Sequence, residues 1–226
     1  MREKKNHIFD NWDIIHAILV SIGFFLCLFF EYIFPIVIFS GASFLYFILK
    51  NKVIFIRIKP FGGYANWVTI FRLSVLLAIG IFYSSYNNIT IASVAVFALL
   101  LDGLDGFLAR KFKTASIFGA TLDRESDAFF VLLFSLVIYS LDYVGGWILY
   151  VGMLRYIYVL ICYLVWQDVL DESVSYLRKT IAVVVMGAIL TPFALPDPYY
   201  VPLLIVATIA ITLSFAKSFI FQIKNH

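Results

Sequence analysis

Charge is scarce in this chain. Only 14% of its 226 residues are Asp, Glu, Lys or Arg, 63% are hydrophobic, and the mean hydropathy is +0.97. A soluble domain needs roughly a quarter or more charged residues, so a soluble globular fold is excluded. Strict apolar–polar alternation is also missing, which excludes the strands of a membrane barrel. Lipid accepts only helices and closed barrels, because backbone polar groups find no other partner there. An integral membrane protein made of helices remains. Cysteine is nearly absent: Cys27 and Cys162 stand far apart in separate apolar runs. They read as two buried thiols, with no disulfide and no metal. The first residues, MREKKNHIFDNWD, lack the apolar core and small-residue cleavage site of a signal peptide, so the N-terminus is expected to be retained. There is no internal repeat and no low-complexity tract.

Apolar runs of spanning length fill the rest. They predict an all-α polytopic bundle of about eight transmembrane helices: Ile14–Phe30, Ile33–Leu49, Trp67–Tyr83, Ile89–Ala109, Gly119–Leu141, Trp147–Val165, Leu177–Ala194 and Tyr200–Phe219. The expected organisation is a tail with two N-terminal spans over 1–49, an interfacial segment over 50–66 and a core over 67–226. The interfacial segment mixes Lys50, Lys52, Arg57 and Lys59 with apolar residues, a pattern suited to the membrane surface. The turns at Glu31-Tyr32, Ser84–Asn88, Asp142–Gly146 and Leu195–Tyr199 contain no Lys or Arg. The tail and the opposite loops carry Arg2, Lys4, Lys5, Arg110, Lys111, Lys113, Arg178, Lys179 and Lys224. By the positive-inside rule both termini are expected in the cytoplasm, and in a bacterium the membrane would be the inner one.

A few ionisable groups break the apolar pattern. Asp102, Asp105, Asp123 and Asp127, with Arg124 and Glu125, cluster at the cytoplasmic ends of two consecutive spans. Arg72 and Arg155 lie within spans. Such groups are expensive in lipid and usually face a cavity or one another. Asp102 and Asp105 are three apart and share a helix face with Gly106 and Ala109. Gly119, Asp123 and Asp127 are spaced by four and form a second stripe. The connector KFKTAS is short, so the two helices are expected to be antiparallel neighbours whose acidic stripes face each other. Carboxylates held that close repel unless a cation neutralises them. All-oxygen ligands favour Mg²⁺ or Mn²⁺, and Mg²⁺ is usually shared with phosphate oxygens. Arg110, Lys111 and Lys113 complement a phosphate. The residues alone therefore predict a metal–phosphate site at the membrane surface.

The stretch DGLDGFLARKFKTASIFGATLDRESD resembles the signature of the CDP-alcohol phosphatidyltransferase family, D-x2-D-G-x2-A-R-x8-G-x3-D-x3-D. Asp102, Asp105, Gly106, Ala109, Arg110, Gly119, Asp123 and Asp127 fill every fixed position. NWVTIFR, with Asn66, Thr69 and Arg72, is similar to the start of the family's first core helix. LRKT, at Lys179 and Thr180, is similar to the start of its fifth. The resemblance implies a six-helix core, with the first two spans outside it. It implies transfer of a phosphatidyl or related phospho-alcohol group from CDP-diacylglycerol, or another CDP-alcohol, to an acceptor hydroxyl. CMP is released, and Mg²⁺ or Mn²⁺, as two ions, assists.

By position, Asp102, Asp105 and Asp123 would be metal ligands, and Asp127 a ligand, the general base, or both. Gly106, Ala109 and Gly119 would make room for the nucleotide. Arg110, helped by Arg72, would hold the diphosphate. Thr69, Thr114 and Ser116 are further candidates for nucleotide contact. A homodimer is implied, and no nucleic-acid partner. Arg155 reads equally as a bundle-steadying ion pair or as part of an acceptor pocket. Arg178 and Lys179 read as ordinary inside charge or as an acceptor phosphate site. His16 reads as structural, and Asp168, Asp171 and Glu172 as a solvated loop. The acceptor stays open between glycerol or inositol phosphate on one side and inositol, serine or choline on the other. A competing class, a cation transporter or channel with an acidic site, predicts inverted repeats and broken midplane helices. The sequence contains neither.

Overall fold

Long apolar runs with few helix breakers become helices, and the computed structural model describes them over residues 7–58, 62–112, 114–167, 169–170 and 176–225. Among the described residues there are nine α-helices and no strand. They are α1 (His7–Phe30), α2 (Phe34–Lys50), α3 (Lys52–Arg57), α4 (Tyr64–Phe82), α5 (Asn88–Phe112), α6 (Ile117–Ser140), α7 (Ile148–Trp166), α8 (Tyr176–Ile189) and α9 (Tyr200–Asn225). Side chains of 7–11 and 176 lie outside the description, as do Arg2, Lys4, Lys5, Lys59, Lys113, Asp168, Asp171 and Glu172.

Several helix ends have visible causes. Glu31, Asp142 and Gln167 adopt left-handed backbone, with φ of 58°, 57° and 58°, just beyond α1, α6 and α7. A left-handed residue turns the chain off the helix and lets the last carbonyls bond. Gln167 N–H accordingly donates to Tyr163 O at 2.9 Å. Pro35 opens α2, where a missing N–H costs nothing.

The predicted seventh span ran on to Ala194. The helix instead stops at Ile189 and passes into a 3₁₀ turn at Thr191–Phe193. Pro192 cannot continue an α-helix, and Thr191 Oγ1 donates to Ala188 O at 2.7 Å.

The eight predicted spans correspond to α1, α2 and α4–α9, while α3 occupies the predicted interfacial segment. Five helices are long and apolar enough to cross a membrane on their own: α1, α4, α5, α7 and α9. The other three differ for separate reasons. α2 is apolar but has 17 residues, α8 has 14, and α6 carries Asp123, Arg124, Glu125 and Asp127.

Beyond those charges α6 is surrounded by protein, not lipid. Every residue from Phe129 to Ile138 is at most 8% exposed. A helix buried all round is the central post of a bundle. α4, α7 and α8 pack around it, and α7 comes closest. A Cβ added at Gly152 of α7 would sit 2.8 Å from Leu132 Cα, so only glycine allows that approach. α1 and α2 form a hairpin, and α1 also packs along α7.

Candidate active site

Three helices bring the acids together, and the predicted pairing needs one correction. α5 and α6 do not pack chiefly on each other. Both pack on α4, which lies between them. The acidic stripes therefore face one another across an α4 side chain. That side chain is Arg72, only 2% exposed. Its Nη1 pairs with Asp102 Oδ1. Its Nη2 lies 3.2 Å from Asp123 Oδ1 and 2.8 Å from Asp127 Oδ1. Oxygens of Asp102, Asp123 and Asp127 all fall within 4.8 Å of one another.

Asp105 stands apart from this trio. It is 4% exposed and accepts a hydrogen bond from Thr69 Oγ1 at 2.8 Å. Four carboxylates face one directly paired guanidinium, a formal excess of three negative charges. The donor set is all oxygen. It fits a hard divalent cation, which would relieve the repulsion.

A cavity of about 190 Å³ opens between α4, α5 and the start of α6. Thr69, Gly106, Ala109, Arg110, Thr114, Ser116 and Gly119 all line it, with Asp105 and Asp123. Of the predicted nucleotide set only Arg72 is elsewhere, among the acids.

Local causes are clear for several members. α5 extends through Arg110 to Phe112, past the predicted end at Ala109. Arg110 folds back over Gly106: a Cβ there would lie 3.5 Å from Arg110 Nη1. Ser116 caps α6, its Oγ accepting from Gly119 N–H at 3.1 Å. Gly119 has no room for a side chain, because an added Cβ would run into Asn66 Oδ1. Asn66 Nδ2 is tied to Gly62 O at 2.6 Å. Thr114 Oγ1 is buried without a partner among the described residues, so it has hydrogen-bonding capacity for a ligand.

A larger cavity, about 580 Å³, lies on the other flank of α6, walled by α6 to α9. Arg155, Arg178 and Lys179 all line it, together with Asp127, Asp123 and Arg124. Asp123 and Ala120 line both cavities, so the two meet at the acidic cluster. Arg155 pairs with Glu125 Oε1 and also lines the cavity. Arg178 Nη1 lies 3.5 Å from Ser218 Oγ.

His16 packs inside the bundle, stacked on Trp12 and 2.9 Å from Ser43 Oγ through Nδ1. Sequence reasoning missed Gln222. It is fully buried, receives Leu170 N–H at 3.0 Å, and donates to Leu170 O and Tyr158 Oη at 2.9 Å each. It fastens the 169–170 segment over the larger cavity. A lone glutamine near the end of an apolar helix was its only signal.

A family model for CDP-alcohol phosphatidyltransferase matches residues 63–217, which contain every residue of both cavities except Ser218. The chain belongs to the CDP-alcohol phosphatidyltransferase family. It is similar to two proteins named CDP-diacylglycerol–glycerol-3-phosphate 3-phosphatidyltransferase. One, from Wigglesworthia glossinidia brevipalpis, is 39% identical over 69 residues, covering 29% of this chain and 38% of that protein. The other, from Yersinia pestis, is 35% identical over 86 residues, covering 37% and 47%. The chain thus spans less than half the length of the curated relatives it matches. No solved structure matches it significantly. With its apolar helices, this CDP-alcohol phosphatidyltransferase family member is a multi-pass membrane protein. Helices α1 to α3 lie outside the family match.

Proposed function

We propose that the chain transfers a phosphatidyl group from CDP-diacylglycerol to the hydroxyl of a small phosphorylated alcohol, releasing CMP. Glycerol 3-phosphate is the leading acceptor. The observation that carries this reading is the meeting of two unlike cavities at one acidic cluster. The smaller has small walls, Arg110 and the Thr114 hydroxyl, which has no partner among the described residues, and suits the nucleotide end of a CDP-linked donor. The larger has Arg155, Arg178 and Lys179 on its wall, and suits an anionic acceptor. The names of the similar proteins support glycerol 3-phosphate within that class.

Asp102, Asp123 and Asp127, with Asp105 beside them, would hold the divalent ions. Bound there, Mg²⁺ or Mn²⁺ supplies charge neutralisation for the diphosphate and the CMP leaving group. Arg110 orients the diphosphate, and Arg72 keeps the carboxylates in register. Asp127 accepts the acceptor's hydroxyl proton on a carboxylate oxygen. The acceptor oxygen then bonds to the phosphorus that bears the lipid, and the bond from that phosphorus to the CMP oxygen breaks. Donor and acceptor approach from opposite flanks of α6, which brings the hydroxyl to the phosphorus without exchanging the sites. Cytoplasmic termini, supported by the Lys and Arg distribution, and a homodimer belong to the same proposal.

The test supplies membranes holding the chain with CDP-diacylglycerol, Mg²⁺ or Mn²⁺, and glycerol 3-phosphate, and follows CMP. Release that depends on both acceptor and metal supports the reading. Absence of release with every alcohol in a panel contradicts it. Cation flux without CMP would favour the transporter class.

A further inference from the structure

Helix α1 lies outside the family match, yet it reaches the wall of the larger cavity through a chain of alternating charges. Asp13 Oδ2 of α1 lies 2.7 Å from Arg124 Nη2 of α6. Arg124 Nε lies 3.3 Å from Glu125 Oε1. The same Glu125 oxygen pairs with Arg155 of α7. Both arginines line the larger cavity.

The members differ in exposure in an informative way. Glu125 is 2% exposed and Arg155 17%, whereas Arg124 is 42% exposed. An exposed arginine has many rotamers, and one such contact would hold it weakly. Asp13, itself 14% exposed, supplies the second contact that fixes its direction. Without Asp13, Arg124 would be free to turn its fork onto Glu125 Oε1 and compete with Arg155 for that oxygen. The direction of Arg155 in the cavity therefore depends on a carboxylate one helix away. Asp13 is also well placed for this role because α1 packs along α7.

We propose that Asp13 is a positioning residue for the acceptor cavity, acting through Arg124 and Glu125 to fix Arg155. The N-terminal helix is then part of the acceptor-recognition apparatus and not only a membrane anchor. This rests on the reading of the larger cavity as the acceptor site.

The experiment compares the full-length wild type, Asp13→Asn, Asp13→Glu and Val20→Ala in detergent or vesicles. It measures CMP release against glycerol 3-phosphate and, separately, against CDP-diacylglycerol. Val20 belongs to the apolar core and stands for loosened α1 packing alone. Asp13→Asn is expected to raise the acceptor KM about three- to tenfold, in the lower part of the range of coupling within one ion-pair network. The donor KM and kcat should stay within twofold, and Asp13→Glu should restore most of the acceptor affinity. Val20→Ala should lower the thermal midpoint without moving the acceptor KM.

The inference is overturned by an acceptor KM in Asp13→Asn that is unchanged or lower, by equal movement of both KM values, or by a Val20→Ala variant that behaves like Asp13→Asn. Each of those results leaves the transferase reading intact. A wild type that releases no CMP with any acceptor overturns both.

Discussion

The two cavities that meet at Asp123 are built on different principles. The smaller is shaped by what is missing: Gly106, Ala109 and Gly119 leave space, and the Asn66 side chain closes against Gly119. The larger is shaped by polar ties: Arg155 to Glu125, Arg178 beside Ser218, and the Leu170 backbone to Gln222. Gly119 is the smaller cavity's tight point, where Asn66 Oδ1 leaves no room for an added atom. A site made by held side chains tolerates loss of one tie at a graded cost. The difference suits a fixed donor nucleotide on one flank and an acceptor selected by charge on the other.

The strongest break is in the acidic cluster where the cavities meet. Asp127→Asn removes the proposed proton acceptor, and kcat should fall on the order of 10²–10⁴-fold, measured as CMP release. Next comes the smaller cavity. Gly119→Ala drives a methyl group into Asn66 Oδ1, and such overpacking costs about 1–3 kcal/mol. The donor KM should rise about tenfold or more, with the acceptor KM little changed. Arg178→Ala should do the reverse. Loss of a charged contact to an anion is worth about 1.5–3 kcal/mol, so the acceptor KM should rise about tenfold or more at constant donor KM. The smallest effect belongs to Gln222→Leu, which unties Leu170 and leaves its backbone N–H and carbonyl without the glutamine. Thermal stability should fall by about 1–3 kcal/mol, with a few-fold rise in acceptor KM. If Gly119→Ala and Arg178→Ala moved the same constant, the division of labour between the cavities would be wrong.

The contrast also explains which parts of the site were legible in the sequence. The smaller cavity draws on residues 65–123, and most of its lining lies on one signature whose spacing is visible without a structure. The acidic stripes followed from helix periodicity. Their separation by α4 did not, because a short connector fixes which helices follow one another and not which pack together. The resemblance gives Arg72 only as a helper of Arg110 at the diphosphate, and its side chain sits among the carboxylates. The larger cavity takes single residues from α6, α7, α8 and α9, and no local pattern links Asp127 to Arg178 or Ser218. A carboxylate partner is one of the two alternatives that the sequence leaves open for Arg155, and its identity as Glu125 requires the packing of α6 on α7. Asp13 carried no signal beyond being an acid at the start of an apolar run. The fold itself was legible because lipid permits so few solutions. The end of α8 was misjudged where Pro192 turned an apolar run into a 3₁₀ turn.

The most direct test of the central claim is a product measurement on the purified chain. Wild type and Asp127→Asn are incubated with CDP-diacylglycerol, glycerol 3-phosphate and Mg²⁺, with and without EDTA, and lipid and nucleotide products are read by mass spectrometry. Wild type should form phosphatidylglycerophosphate and CMP in equal amounts, and EDTA or the Asp127 substitution should suppress both together. Phosphatidyl transfer that persists at full rate in Asp127→Asn, or CMP released without any phosphatidyl product, would contradict the account.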